Sequence, residues 1–393
     1  MHSLFKNTFS QRLPTVGIIG GGQLALMLVR AAAQLGLRAR VIDASPECPA
    51  QREVADFCEG SPESLAALIR FAMQADVITL ENEFIDARLL AGLEAQGCEV
   101  WPASRTMSLV QDKLVQKQTL RNAAVPVVDY VPVNEGSTVQ DIACQIGLPF
   151  VLKKRRLGYD GTGNFTVHRA EDWPAALEKL GGHKSGLYAE RWCPFERELA
   201  VIGARSKTGE HAVYPVVETR QRNHVCEQVI APAAVADNIA EQATRLALQA
   251  IEAVDGVGSF GVEFFLLADG TILVNEIAPR VHNSGHYTIE ACVCSQFENH
   301  IRAIRGLPLG STKLRAPAAM VNLLGKTSAG GAPRGIADAL AISGAHVHLY
   351  GKLHAARGRK MGHVTALGCT ADEALATAQR AADGIHFDQP LLT

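Results

Sequence analysis

The chain has 393 residues, enough at roughly 100–200 residues per domain for two or three domains with substantial cores. Its 38 Lys and Arg against 40 Asp and Glu leave a net charge of −2, which argues against a partner such as nucleic acid or an anionic membrane surface. No stretch approaches the ~20 consecutive apolar residues of a bilayer span. Nine scattered cysteines without a CxxC pair suggest small apolar side chains in a reducing cytoplasm.

In chain order, residues 1–14 are basic and weakly apolar and read as a disordered tail, with a transit peptide as the minor alternative. From 15 to 112 strand and helix patterns alternate: TVGIIG, then QLALMLVRAAAQLGL up to Gly36, RARVIDA, SPESLAALIRFAMQA, DVITLE, LLAGLEAQG and CEVWPA. That alternation predicts a doubly wound α/β domain with a parallel sheet. SRTMSLVQDKLVQKQTLRNAAV reads as one or two helices leading out of it.

Residues 113–313 have a different texture. VPVVDYVPV and FVLKKRR are strands, LGYDGTGNF is a glycine-rich loop, and the runs around GLYAERWCPFERELAVIGARS and HAVYPVVETR predict antiparallel sheet. An amphipathic helix, NIAEQATRLALQAIEAVD, precedes a hairpin, GVEFFLLADGTILVNEIA. Residues 314–393 read as a small β-rich domain with strands near AAMVNLL and HVHLYGK and a final helix in ADEALATAQRAADGI.

Four constellations carry chemistry. Gly20, Gly22 and Ala25 form a GxGxxA turn between strand and helix, with Asp43 at the end of the next strand. Alone this suggests an NAD(P)-dependent oxidoreductase, but any phosphate-bearing ligand can use such a turn. Second, if Asp269-Gly270 is a two-residue hairpin turn, counting outward pairs Leu267 with Ile272, Phe265 with Val274 and Glu263 with Glu276. Two facing carboxylates among apolar neighbours repel, and a hard cation such as Mg²⁺, sharing nucleotide phosphates, resolves the conflict.

Third, Lys153-Lys154-Arg155-Arg156 runs into the loop 157–163, a cationic strand end and mobile glycines suited to a triphosphate without being a Walker A loop. Fourth, Glu190 and Glu198 flank Trp192-Cys193-Pro194-Phe195 around a bend that can grip a purine through backbone groups and a ribose through a carboxylate.

The order Lys113, Lys153 before GYDGTG, Glu190, Glu198, Glu263 and NEIAPR resembles the ATP-grasp superfamily. Within it, GGGQL at 20–24, GYDGTG at 158–163, NEIAPRVHNSGHYT at 275–288, YGK at 350–352 and RGRKMGHV at 357–364 resemble the N5-carboxyaminoimidazole ribonucleotide synthetases, over about residues 15–385. The resemblance implies a pre-ATP-grasp domain, a two-lobed ATP-grasp domain and a small C-terminal β-rich domain, usually as a homodimer. It implies the cytoplasmic reaction of ATP, bicarbonate and 5-aminoimidazole ribonucleotide in purine synthesis, with Mg²⁺ or Mn²⁺.

Residue by residue, the resemblance places ATP on Lys113, Lys153, Gly158, Tyr159, Asp160, Gly161, Thr162, Gly163, Asn164, Glu190, Arg191, Trp192, Cys193, Glu198, Asn275 and Glu276. It makes Glu263 and Glu276 the metal ligands, and sets Gln23, Leu24, Glu81, Tyr159, Asp160, Lys352, Arg359 and Lys360 around the ribonucleotide. Arg280, His282 and Asn283 face bicarbonate and carboxyphosphate, and Asp160 orients the amine or takes its proton. The ribonucleotide's 5′-phosphate is expected on the GGGQL turn, with Arg359 and Lys360 reaching in.

There are two departures. Where relatives carry an ATP-contacting histidine this chain has Gln221, with His224 nearby, and either Glu81 or Glu83 can meet substrate. Rival activities are a formate-dependent glycinamide ribonucleotide transformylase of the same superfamily and, behind it, the oxidoreductase.

Overall fold

Short apolar strands separated by amphipathic helices build a four-stranded parallel sheet at the N-terminal end. In space its strands run Asp56–Glu59, Arg38–Asp43, Thr15–Ile19, Val77–Leu80, all parallel. The chain reverses direction of winding between Thr15–Ile19 and Val77–Leu80, so a crevice opens beyond the carboxyl ends of these two strands, at Gly20–Gly22 and Glu81. The structure, a computed structural model, describes residues 13–158 and 163–390. Asp56–Glu59 was not expected, being a short, half-buried edge strand. CEVWPA, expected as a strand, contributes only a single parallel bridge from Val100 to Ile78.

The connecting segment is two helices, Ser104–Gln111 and Lys113–Asn122. They break at Asp112, whose carboxylate caps the second helix by accepting the Leu114 and Val115 N–H groups. The same carboxylate takes a two-pronged contact from Arg155 at 2.7–3.1 Å, tying the helix start to the basic strand.

Two antiparallel layers follow. A small sheet runs Tyr130–Val133, Leu187–Arg191, Phe150–Lys154, Asn164–Val167 and buries its apolar face under helices Val139–Ile146 and Trp173–Leu180. The large sheet runs Ile272–Ala278, Gly258–Leu266, Arg197–Arg205, Val217–Arg222, Val225–Ala231, Ala318–Leu324, Lys360–Leu367, Ala345–Leu349. Helix Asp237–Ala253 packs Leu246, Ala250 and Ile251 behind its first strands.

The last three strands of that order belong to the C-terminal region, so this region extends the large sheet instead of closing a separate one, through Val229–Met320 and its neighbours. Tyr350, Val281, Phe297 and Ile301 share one buried cluster with Leu24, Leu28 and Val41 of the N-terminal sheet region. All three parts therefore meet around one place. None of the described helices is long and apolar enough to cross a membrane.

Candidate active site

The carboxylate pair lies on the hairpin of the large sheet, and the chain reaches the expected pairing by a different route. Leu267 N–H bonds the Thr271 carbonyl at 2.9 Å, so three residues, not two, turn the hairpin. The pairs next to it are Leu266–Ile272, Phe265–Leu273 and Phe264–Val274. Asn275 then bulges out, the register slips by one, and Glu263 faces Glu276. The extra turn residue and the bulge cancel. The bulge also aims adjacent side chains, Asn275 and Glu276, into the same cleft.

Alternation along Gly258–Leu266 sends Val262 and Phe264 into the core and turns Glu263 and Phe265 to the cleft. Burial raises the Glu263 carboxyl to about 7, with Glu276 and Glu198 adding to the effect. Glu198, on the next strand, is also pushed up to about 7 by burial. Lys113 Nζ reaches Glu276 Oε2 at 2.7 Å and neutralises one member of the pair. Among the described residues no three His, Cys, Asp or Glu side chains form a complete metal cage. The donor set instead suits a hard cation that takes one or two carboxylates and completes its shell with phosphate and water.

Across the cleft Glu190 is in the opposite condition. It is buried, which works against its charge, yet Lys117 and Lys153 outweigh that and hold its carboxyl at about 2. Lys153 Nζ lies 2.6 Å from Oε2 and Lys117 Nζ 3.2 Å from Oε1, with the Tyr188 hydroxyl donating to Oε1 at 3.0 Å. Sequence reasoning missed Lys117 and Tyr188. Both had a signal: Lys117 is one helical turn after Lys113, and Tyr188 is on the Glu190 face of its strand.

One cavity of about 590 Å³ joins these groups. Its lining includes Lys113, Lys153, Gly158, Asn164, Glu190, Arg191, Trp192, Cys193, Glu198, Glu263, Asn275, Glu276, His282, Asn283 and, from the C-terminal region, Lys360. Val151, Phe165, Phe265 and Cys226 also line it without having been expected, beside Phe195 of the expected bend; Phe195 and Phe265 stack at 4.4 Å between centroids. Gln221 and His224 are both on the wall. His224 is at the tip of a tight hairpin whose Asn223 and His224 both have positive φ. Gly163 also has positive φ and bonds its carbonyl to Lys154 N–H. Tyr159, Asp160, Gly161 and Thr162 lie outside the described residues.

The remaining expected residues gather at the crevice of the parallel sheet. Gln23 and Leu24 open helix Gln23–Gln34. Glu81 accepts the Ala25 N–H at 3.3 Å, and a Cβ on Gly22 would land on its carboxylate. The helix start thus holds the protein's own Glu81 carboxyl, whose pKa burial raises above its ordinary value. Asp43 is also engaged, accepting from Gly21 N–H at 2.7 Å, so the acid of the dinucleotide pattern holds the turn.

Glu83 pairs with Arg280 through two guanidinium contacts, one of them at 2.9 Å. The two glutamates therefore differ: Glu83 is bound to Arg280, while Glu81 remains at the crevice. Lys352 Nζ donates to the Lys360 carbonyl at 2.7 Å; burial, then Arg359, lowers its ammonium to about 8. Arg359 bonds the His354 carbonyl at 3.0 Å.

A two-lobed cleft roofed by a small antiparallel sheet and floored by a carboxylate-bearing hairpin defines the ATP-grasp class of nucleotide-binding enzymes. The sequence matches the ATP-grasp domain family over residues 118–297, a ribonucleotide synthetase preATP-grasp domain over 13–111 and a phosphoribosylaminoimidazole carboxylase C-terminal domain over 318–377. It is 41% identical to the N5-carboxyaminoimidazole ribonucleotide synthase of Synechococcus elongatus, covering 89% of this chain and 88% of the relative. A structure from Aspergillus clavatus, an N5-carboxyaminoimidazole synthase in complex with ADP and 5-aminoimidazole ribonucleotide, superimposes with a TM-score of 0.86 at 39% identity, covering 94% and 98%. The phosphoribosylaminoimidazole carboxylase of Ogataea methanolica is 42% identical over 89% of this chain. Of that relative the chain spans 66% of the length, just under two thirds. The chain belongs to the N5-carboxyaminoimidazole ribonucleotide synthase family.

Proposed function

We propose that the chain catalyses the ATP-dependent carboxylation of 5-aminoimidazole ribonucleotide by bicarbonate to N5-carboxyaminoimidazole ribonucleotide, releasing ADP and phosphate, in purine synthesis. The observation that carries this reading is the single cavity in which the facing Glu263/Glu276 pair, with only Glu276 in an ion pair to Lys113, meets the Lys153 roof and Lys360 of the C-terminal region. A family member bound to ADP and the ribonucleotide supports it.

In this reading the adenine lies among Val151, Phe165 and the 190–193 strand end, with Glu198 at the ribose and Asn275 and Glu276 near the phosphates. Glu263 and Glu276 hold Mg²⁺ or Mn²⁺, which when bound supplies charge neutralisation for the triphosphate. Glu190 fixes Lys153, so its free N–H groups point to phosphate oxygens without a search among rotamers. A bicarbonate oxygen attacks the γ-phosphorus, the bond to the ADP oxygen breaks, and carboxyphosphate forms. Arg280 is oriented by Glu83 and stays cationic, since the carboxylate outweighs burial in raising its pKa. It faces the bicarbonate with His282 and Asn283. The ribonucleotide amine then attacks the carboxyl carbon, phosphate leaves, and Asp160 orients the amine or takes its proton.

Gln23, Leu24 and Glu81 contact the ribonucleotide from one side, while Lys352, Arg359 and Lys360 bind its phosphate from the other. We place the enzyme in the cytoplasm as a homodimer, the assembly usual in its family; all nine cysteines are free thiols. The test is phosphate release from ATP with bicarbonate and the ribonucleotide omitted in turn. Full release requires both; turnover supported by formate and glycinamide ribonucleotide instead would assign the chain to the sister reaction.

A further inference from the structure

His282 faces the cleft, and its chemistry depends on which ring nitrogen carries the proton. Its Nδ1 is turned back onto its own loop, the short 3₁₀ turn Asn283–Gly285, where it meets the Ser284 hydroxyl at 2.8 Å and the Ser284 backbone N–H at 3.4 Å. A hydroxyl can donate or accept, but a backbone N–H can only donate. A proton on Nδ1 would therefore point at another N–H. The arrangement requires an unprotonated Nδ1, so the proton is on Nε2.

Packing keeps the ring in this orientation. The buried Gln296 side chain grips the His282 peptide at both ends, accepting its N–H at 2.9 Å and donating to its carbonyl at 2.7 Å. The side chain packs closely on Gly261, where any Cβ would come within 2.5 Å of His282 Cγ and 3.0 Å of Nδ1. Nε2 faces Glu263 Oε1 at 3.6 Å, too long for a hydrogen bond. The N–H is thus aimed into the cleft with capacity for a third group.

We propose that Ser284 is a positioning residue that locks His282 in its Nε2–H tautomer, so that the ring acts as an N–H donor to an anionic oxygen and not as a base or a metal ligand. This deepens the functional reading above and rests on it for the identity of that oxygen, a bicarbonate or carboxyphosphate oxygen. Donors fixed in a water-poor site stabilise developing negative charge without reorganising.

The test is ¹⁵N–¹H correlation of ring-labelled histidine in the ligand-free protein, with His282 assigned by its loss in His282→Gln. The expected pattern is a protonated Nε2 and an unprotonated Nδ1; a protonated Nδ1 in the wild type overturns the proposal. Ser284→Ala keeps the backbone N–H, so the Nε2–H tautomer should persist, but loss of the hydroxyl should loosen the ring and lower kcat about five- to tenfold, with KM for ATP unchanged. Ser284→Thr, which keeps the hydroxyl, should restore kcat. A Ser284→Ala enzyme with wild-type kcat, or one whose Nδ1 carries the proton, also overturns it. The tautomer is read without substrates, so a wild type that shows Nε2–H yet no bicarbonate-dependent turnover would count against the functional reading alone.

Discussion

Glu190 and Glu263 are acidic side chains on opposite walls of one cleft, yet one is held at about 2 and the other pushed to about 7. Burial acts against the charge of both. The difference is what the protein places beside each: two lysines and a tyrosine hydroxyl at Glu190, two further carboxylates at Glu263. The first is a finished interaction that fixes Lys153. The second is unfinished, and the proposed cation would complete it. Pre-formed pairing thus marks the positioning parts of the proposed site, and a carboxylate whose charge the protein disfavours marks where that cation would be held.

The sharpest way to break the comparison is Glu276→Gln. It should leave the fold intact and lower ATP turnover on the order of a thousandfold, as removal of charge stabilisation at a reacting phosphate does. Near-normal phosphate release by this variant would remove the pair from the chemistry.

Glu190→Gln should instead act on stability. It strips Lys117 of its buried counter-charge, and urea unfolding at neutral pH should show a loss of about 3–5 kcal/mol. The pH dependence follows from the same pair. Because the folded-state pKa of Glu190 lies below its ordinary 4.5, its contribution is complete above about 4.5 and is lost as pH falls toward 2. Wild-type stability should fall through that window, and the variant's should fall less.

At the ribonucleotide end, Lys360→Ala should raise KM for aminoimidazole ribonucleotide about 10- to 150-fold, the worth of a charge-assisted phosphate contact of roughly 1.5–3 kcal/mol, with KM for ATP hardly changed. Weakened ATP binding with an unchanged ribonucleotide KM would assign Lys360 to the wrong substrate. The smallest effect should have the opposite sign from Glu190→Gln. Glu263→Gln removes a carboxylate whose charge is disfavoured by burial and then by Glu276 and Glu198, so the ligand-free protein should gain on the order of 1 kcal/mol at neutral pH. A loss as large as that of Glu190→Gln would erase the distinction between the two walls.

Local pattern was enough for much of this molecule. The strand–helix alternation from Thr15, the long amphipathic helix at Asp237–Ala253 and the hairpin around Asp269-Gly270 are each set by spacing and turn chemistry within a few residues. The facing of Glu263 and Glu276 was legible too, although the count that predicted it assumed a regular ladder. The real hairpin has a longer turn and a compensating bulge, and neither leaves a mark that periodicity can detect. Strand Asp56–Glu59 was missed, and CEVWPA overcalled, because edge pairing depends on which neighbours arrive.

The sequence by itself determined the order of the elements, the chemical types at the site and the family to which they belong, since these depend on residue identity and short-range spacing. Tertiary structure alone decided which charges cancel. That Asp43 holds a turn, that Glu83 binds Arg280, that Glu81 sits on a helix start and that Lys117 neutralises Glu190 all come from contacts between elements far apart in the chain. The physical reason is that electrostatic energy depends on distance and burial in three dimensions, so identical side chains acquire opposite roles only when the chain has folded.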